Sequence, residues 1–455
     1  MRSCVNLACI MSVAAGCAKT TPTTEEWSRI SSLANLGPPD PDPANKYVGD
    51  PAAERFGQML YFDPRFSGPA IQVDTLGRQS PQARTATGTP IQISCASCHD
   101  PARGGADYTS SPGHVSVGAG WYDVNAQSTI NSAYYRLKYW NGRYDSLVWQ
   151  IVAVTESGVS MNFTRLGVAW LINEHYRAEY DSVFTDHPFP TLDARFPRSG
   201  KPGQPSFDNL DEADKEAITR VYVNFAKAIA AYEFRLVSRN SEFDRWVAEG
   251  PESTRISAAA RRGARLFVGK ASCIECHRTP LFADDLFHNV GVPQLGVAVP
   301  REEECRAGDR CDCVNGKRCL PWGWYTGLQA LAGNTLFRIQ GSRYSDNPDD
   351  ASRADLYAAP LTDDKKGAWR TPTLREISRT APYMHNGYYR SLEEVVRHYN
   401  RGGTAEGASP AHLSKRVRPL GLDEQEITDL VAFLRTLDGE PLPEELVRSP
   451  PLPGR

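Results

Sequence analysis

The chain is predicted to be mainly α-helical, folded as two similar units packed together, with long loops and little β structure. Three observations carry that expectation. A pentapeptide of the form Cys-x-x-Cys-His occurs twice, as Cys95-Ala-Ser-Cys98-His99 and as Cys273-Ile-Glu-Cys276-His277. Each copy is preceded by a segment whose apolar residues recur at helical spacing, and a second such segment follows it later. The stretches between these anchors are polar and punctuated by Gly and Pro, which interrupt regular structure.

The spacing of the pentapeptide has a specific chemical meaning. Two thiols add to the vinyl groups of a haem, and the adjacent histidine turns its imidazole onto the iron as proximal ligand. Cys95, Cys98 and His99 are therefore expected to hold one covalent c-type haem, and Cys273, Cys276 and His277 a second. A Cys-x-x-Cys redox pair or a structural zinc clip explains one such match, not two in similar settings.

Composition narrows the setting. A length of 455 residues predicts two or three domains, and 40% hydrophobic content suits soluble globular ones. No apolar run is long enough to span a bilayer. The net charge of −3 argues against a nucleic-acid-binding surface and leaves small redox partners. Residues 1–17 read as a signal peptide: Arg2 supplies a short positive end, and Val5 to Ala15 form a weak apolar core. Ala14-Ala15-Gly16-Cys17 resembles a bacterial lipobox, with Cys17 as the lipidated residue. Haem attachment of this kind is completed outside the cytoplasm. The expected location is thus the periplasm, with lipid anchoring to the outer membrane as the further reading.

Of the 11 cysteines, Cys4 and Cys9 leave with the signal, Cys17 takes the lipid, and four hold haem. Cys305, Cys311, Cys313 and Cys319 remain within one short polar loop. In an oxidising compartment two disulfides are expected, with a four-thiolate metal site as the alternative, and the three pairings are not separable from sequence.

Taken in order, residues 18–50 are rich in Thr, Pro and Asp and read as a linker. Ala52 to Asp63 is a predicted helix with Phe56, Met59 and Leu60 on one face. Asp100 to Asn131 is a long irregular segment of the kind that lines a site. Asp211 to Leu236 is a long amphipathic helix with Asp211 as N-cap and Ile218, Val221, Tyr222, Phe225 and Ile229 on one stripe. Glu242 to Ser257 marks the boundary between an N-terminal unit, 51–250, and a C-terminal one, 251–445. The second unit repeats the opening. Ala258 to Gly269 is a helix with Gly263 and Phe267 placed for close packing. Asp423 to Leu437 is its partner, opened by an Asp423/Glu426 capping box. A first helix crossing a last helix around a haem is the cytochrome c plan. An insertion at about 295–364 carries the four-cysteine loop.

Several flanking motifs sharpen the picture. They are Phe56-Gly-x-x-Leu-Tyr-Phe-Asp-Pro-Arg, Tyr139-Trp-Asn-Gly-Arg-Tyr-Asp-Ser-Leu147, Arg370-Thr-Pro-Thr-Leu-Arg375 and Ala381-Pro-Tyr-Met-His-Asn-Gly387. With the two haem sites, they resemble the bacterial di-haem cytochrome c peroxidases and their relative MauG, over about residues 50 to 440. The resemblance implies that peroxide meets the N-terminal haem while the C-terminal haem stores or relays electrons.

It also implies roles for individual residues. Trp140 matches the tryptophan that sits between the haems and helps electrons pass. Gln150 matches a glutamine above the first haem. Ten residues further the family places a glutamate that moves the peroxide proton, where this chain has Ser160. A serine hydroxyl is too weakly acidic for that part at neutral pH. Glu156 lies four residues earlier, and on a helix the two would share a face, so Glu156 is the expected substitute. His114 stands roughly where resting peroxidases carry a histidine capping the peroxide-reactive iron. Tyr399 matches the sixth-ligand position of the second iron, a methionine in the peroxidases and a tyrosine in MauG, with Met384 as the alternative. Ser391-Leu-Glu-Glu394 opens its helix as a capping box, with Leu392, Val395, Val396 and Tyr399 facing inward. Asn125, Thr380 and Pro382 match the protein ligands of a calcium ion held between the domains.

The function expected from these residues is that of an exported di-haem oxidoreductase, cytochrome c peroxidase-like. It would react with hydrogen peroxide at the N-terminal haem and exchange electrons, through the C-terminal haem, with a small cytochrome c, a cupredoxin or a protein substrate. One alternative is a MauG-like enzyme that oxidises residues of a partner protein. Another is a non-catalytic electron-transfer cytochrome, which the absence of the glutamate at 160 favours. A homodimer is left open.

Overall fold

The computed structural model describes residues 21–71, 73, 85–107, 116–122, 124–294, 311–312, 320–403 and 412–454. Among them the protein is mainly helical, with two short two-stranded ladders. The helices that matter for the site are, in chain order, α1 (Thr24–Ser31), α2 (Pro51–Phe62), α3 (Leu147–Glu156), α4 (Arg165–His175) and α5 (Glu212–Glu233). They continue with α6 (Glu242–Glu249), α7 (Ala258–Val268), α8 (Trp324–Gly333), α9 (Leu392–Asn400) and α10 (Glu424–Leu434). No helix among the described residues is long and apolar enough to cross a membrane.

Helix starts follow local chemistry. Asp50 accepts hydrogen bonds from the Ala52 and Ala53 amides at 2.8 and 3.2 Å, with Pro51 at the first helical position. Asp211 caps α5 through the Asp214 amide at 2.7 Å. Ser391/Glu394 and Asp423/Glu426 both form the predicted capping boxes.

Two large apolar cores follow from these helices. The first joins α2, α3, α4 and α5 through Phe56, Leu60, Trp149, Ile172, Tyr222 and Phe225. The second joins α6, α7, α9 and α10 through Phe243, Trp246, Phe267, Phe282 and Phe433. In each core a pair of helices crosses at a glycine. A Cβ on Gly57 would lie 1.8 Å from the Ala228 carbonyl oxygen, and one on Gly263 would lie 2.0 Å from that of Asp429. The two crossings, α2 over α5 and α7 over α10, are the same solution used twice. Each half then carries its Cys-x-x-Cys-His motif on a one-turn 3-10 segment, Cys95–Ser97 well after α2 in the chain and Cys273–Glu275 just after α7.

Three segments depart from the sequence expectation. The 18–50 stretch is not a free linker: Ile30 and Leu33 are buried in the second core, while Ala44 and Tyr47 belong to the first. Trp27 packs edge-on against Trp246 at 5.0 Å, and Arg265 pairs with Glu26 at 2.9 Å. The Thr/Pro/Asp-rich composition hid four widely spaced apolar anchors. The Glu242–Ser257 boundary holds α6, whose Asp244 carboxylate binds Arg375 through both guanidinium nitrogens at 2.7 and 3.0 Å. The insertion also crosses between halves, because Ile339 and Tyr344 complete the first core. His114, residues 1–20 including Cys17, and the side chains of Cys305, Cys311, Cys313 and Cys319 lie outside the described residues.

Since backbone faces backbone at both crossings, Gly57→Ala is expected to force the helices apart and cost about 3 kcal/mol. A thermal melt of the holoprotein checks this; a midpoint equal to the native one would remove the crossing as a determinant of the fold.

Candidate di-haem active site

Each Cys-x-x-Cys-His turn faces a cavity with mostly apolar walls. The N-terminal cavity, counted out into solvent, spans about 1140 Å³ and is lined by Cys95, Cys98 and His99, among others. The C-terminal one, counted in the same way, spans about 1380 Å³ and is lined by Cys273, Cys276 and His277, among others. None of these four cysteines is in a disulfide, and burial pushes the Cys273 thiol up to about 12.

The two histidines are oriented alike. His99 Nδ1 donates to the Gln127 carbonyl at 2.7 Å, and His277 Nδ1 donates to the Phe282 carbonyl at 2.6 Å. A carbonyl only accepts, so the proton sits on Nδ1 and the Nε2 lone pair is left as a ligand. Burial depresses both imidazoles, which favours the neutral form a metal needs. Partly exposed thiol pairs beside an oriented imidazole on a mostly apolar cavity fit a covalently attached haem in each half.

Two side chains, Trp140 and Arg370, line both cavities. Trp140 is held by its indole N–H, which donates to the Asn125 carbonyl at 2.8 Å. Its own carbonyl accepts the Arg370 amide at 2.8 Å. Arg370 sits in a two-residue antiparallel ladder between β1 (Phe287–His288) and β2 (Trp369–Arg370). Its guanidinium lies 3.4 Å over the Tyr135 ring, and Nη1 is buried without a hydrogen bond. A buried guanidinium whose Nη1 has no hydrogen-bond partner, at the rim of both cavities, suits a haem carboxylate.

Above His99 the N-terminal cavity is lined by Gln150 from α3, by Ser160 from the turn after it, and by Tyr122 and Tyr139. The Ser160 hydroxyl donates to Tyr122 Oη at 2.8 Å. Glu156 does not join them. Helix α3 ends at Glu156, so the helical register that would place it beside Ser160 is broken. Its carboxylate is instead clamped by Arg165 at 2.8 and 2.9 Å and by the Arg165 amide at 3.1 Å.

In the other cavity Tyr399 and Met384 both line the wall with His277. Burial raises the Tyr399 phenol, with the two cysteine sulfurs adding to it. His385 also lines this cavity; it stacks on Trp369 at 4.3 Å, and burial pushes it down to about 3. Between the halves, Asn125 Nδ2 donates to the Pro382 carbonyl at 2.9 Å, and Asn125 Oδ1 is buried without a hydrogen bond. Thr380 lies two residues away, its hydroxyl turned back on the Ile377 carbonyl at 3.3 Å.

The sequence reading assigned no role to Arg370, Tyr122, Lys138 or Glu233. Arg370 stood within a quoted motif, whereas the others carry no motif. Lys138 is buried against the Ser132 and Tyr135 carbonyls at 2.9 and 2.6 Å, and burial lowers it to about 8. Glu233 is 4% exposed, with Oε2 making no hydrogen bond.

Comparison with known proteins agrees with this geometry. The family model described as di-haem cytochrome c peroxidase matches residues 51–252. A cytochrome-c peroxidase from Denitromonas iodatirespirans is 33% identical over 425 residues, covering 92% of this chain and 89% of the relative. The methylamine utilization protein MauG of Methylorubrum extorquens is 29% identical, covering 86% of this chain and 79% of the relative. The crystal structure of the diheme peroxidase BthA from Burkholderia thailandensis superposes with a TM-score of 0.56 at 19% identity, covering 89% of this chain and 91% of that one. A paired c-type haem protein is the class that fold and site define. The chain belongs to the di-haem cytochrome c peroxidase and MauG family, and membership implies haem cofactors.

Burial pushes the Glu233 carboxyl up to about 8 from an ordinary value of 4.5. Its stabilising contribution is therefore complete below the unfolded value and is lost as pH rises towards 8. Glu233→Gln, which keeps the neutral shape, is expected to melt like the native protein at pH 4 and at a higher temperature at pH 8. Identical shifts at both pH values would contradict a buried neutral acid.

Proposed function

We propose that the protein is an exported, peroxidase-like di-haem oxidoreductase that reduces hydrogen peroxide in the N-terminal cavity and receives electrons through the C-terminal one. The observation that carries this reading is Trp140, the aromatic wall common to both cavities. When bound, the haems supply peroxide reduction and one-electron exchange. The chain's residues do the rest. His99 and His277 would hold the irons, and Arg370 would neutralise a haem carboxylate. Gln150 offers hydrogen bonds to a small oxygen substrate, while Val154 and Met161 keep that side apolar. Trp140 gives electrons an indole bridge between the cavities. A small cytochrome c or cupredoxin is the expected donor, in the periplasm. The peroxidase named among its relatives supports the activity.

Calcium belongs to the same proposal. Asn125 from one half and Pro382 from the other meet directly, and the amide's unpaired oxygen suits a hard cation alongside carbonyl oxygens. Thr380 would contribute its carbonyl.

A second reading, MauG-like oxidation of a partner protein, is favoured by Tyr399 in the cavity of His277. A phenolate is a hard anionic donor and favours higher oxidation states of iron than a thioether does.

Trp140→Phe is expected to slow peroxide-driven oxidation of a reduced cytochrome at least about ten-fold, with both haem spectra intact; native turnover would overturn the bridge. Tyr399→Phe is expected to change the absorption spectrum and potential of the C-terminal haem, while Met384→Leu leaves both alone. The reverse pattern assigns the ligand to Met384 and withdraws support from the MauG-like reading.

A further inference from the structure

We propose that Tyr122 is the proton donor of the N-terminal cavity, relaying protons from the surface in place of the glutamate that Ser160 replaces. This rests on the reading that peroxide is reduced in that cavity.

The proton-bearing groups around the cavity can be taken in turn. Glu156 is clamped by Arg165 outside it. Glu233, the one carboxyl that lines it among the described residues, faces Ser132, Lys138 and Cys95, on the haem-attachment side. Tyr135 Oη is engaged by the Thr373 amide at 2.5 Å, beneath the Arg370 guanidinium. Tyr139 Oη donates to the Gln150 carbonyl at 3.3 Å, and Arg143 covers its ring at 3.5 Å.

Tyr122 differs from all of these. Its Oη accepts from Ser160 at 2.8 Å inside the cavity and lies 3.2 Å from Ser157 Oγ. Ser157 does not line the cavity and is partly exposed, so the string Ser157–Tyr122–Ser160 runs from the surface to the substrate space. The turn after α3 builds this string: Ser157 is the C-cap of the helix, and the Ser160 amide returns to the Ser157 carbonyl at 3.1 Å.

The chemistry balances. Hydrogen peroxide, two protons and two electrons give two waters, the electrons coming from two equivalents of a reduced one-electron protein donor. As the O–O bond breaks, the departing oxygen takes the Tyr122 phenol proton and leaves as water. Ser160 then donates to the phenolate oxygen until Tyr122 regains a proton through Ser157 from solvent, and the second proton follows the same string. A phenol is a much stronger acid than water, so transfer from it to a departing hydroxide runs downhill. A serine hydroxyl alone is too weak an acid to do so.

Cyanide tests this without peroxide turnover, because hydrogen cyanide gives up its proton when it binds, and Tyr122 Oη takes it while passing its own proton through Ser157 to solvent. In the holoprotein, Tyr122→Phe removes only the hydroxyl. It is expected to slow cyanide association about ten-fold and peroxide turnover about a hundred-fold with unchanged haem spectra, and adding Ser160→Glu to it should restore both. Native-like rates in Tyr122→Phe would overturn the relay, as would a loss that Ser160→Glu fails to restore, which marks a packing role. If the native holoprotein reduces no peroxide, the functional reading falls, and cyanide still decides the part played by Tyr122.

Discussion

The closeness of two helix pairs is the constraint on which the rest of this structure depends. At Gly57 and Gly263 the backbone of one helix rests against a carbonyl of another, closer than any side chain allows. In the C-terminal half the helix so placed ends at Val268, shortly before the Cys273 turn, whereas in the N-terminal half it ends at Phe62 and the Cys95 turn comes later in the chain. Large aromatics then fill the space behind each crossing, Phe56 with Tyr176 and Phe225 in one half, Phe267 with Phe282 and Phe433 in the other. The cavities are what remains in front. Each cavity thus lies against a core whose helix pair is held by backbone contact.

The two halves are not independent beads on a string. The 24–47 segment is shared between both cores, the insertion sends Ile339 and Tyr344 into the first, and Leu446 returns to it near the C-terminus. Gln58 on α2 donates to the Glu445 carbonyl at 2.5 Å, and Arg65 to that of Pro453 at 3.0 Å. At the junction, Trp140 is gripped by Asn125 on one side and Arg370 on the other. These are backbone-directed hydrogen bonds, so the indole is placed by the chain fold and not by its own packing alone.

Much of this was legible in the sequence because it rests on short-range rules. Asp211, Ser391 and Asp423 announce their helices by capping chemistry, and the paired thiols announce the haems. What was not legible depends on residues far apart in the chain. Glu156 and Ser160 looked like neighbours on a helix, but Ser157 caps the helix, and Arg165 draws the carboxylate away through contacts that only the folded turn creates. Trp27, Ile30 and Leu33 sat in a stretch whose average composition reads as linker, although three apolar side chains suffice to dock it. Arg370 was visible as part of a motif, yet its unpaired Nη1 between two cavities is a property of three separate segments meeting.

The replacement of the expected glutamate by Ser160 has a structural logic once its neighbours are considered. A carboxylate at that position would stand beside Tyr122, and the two would contend for one proton path. A serine accepts and donates, so it hands the path to the phenol without adding a charge to an apolar cavity. Burying a charge there without a partner is costly, and the nearby Arg143 guanidinium is already spread over the Tyr139 ring. Meanwhile Glu156 neutralises Arg165 in the first core, where an unpaired guanidinium would be costly too. The carboxyl group that sequence spacing suggested for catalysis is thus committed to the fold, and the polar groups that meet at Ser160 in the cavity are its own hydroxyl and that of Tyr122. Such groups would move protons by relay along Ser157, Tyr122 and Ser160, not by a single strong acid.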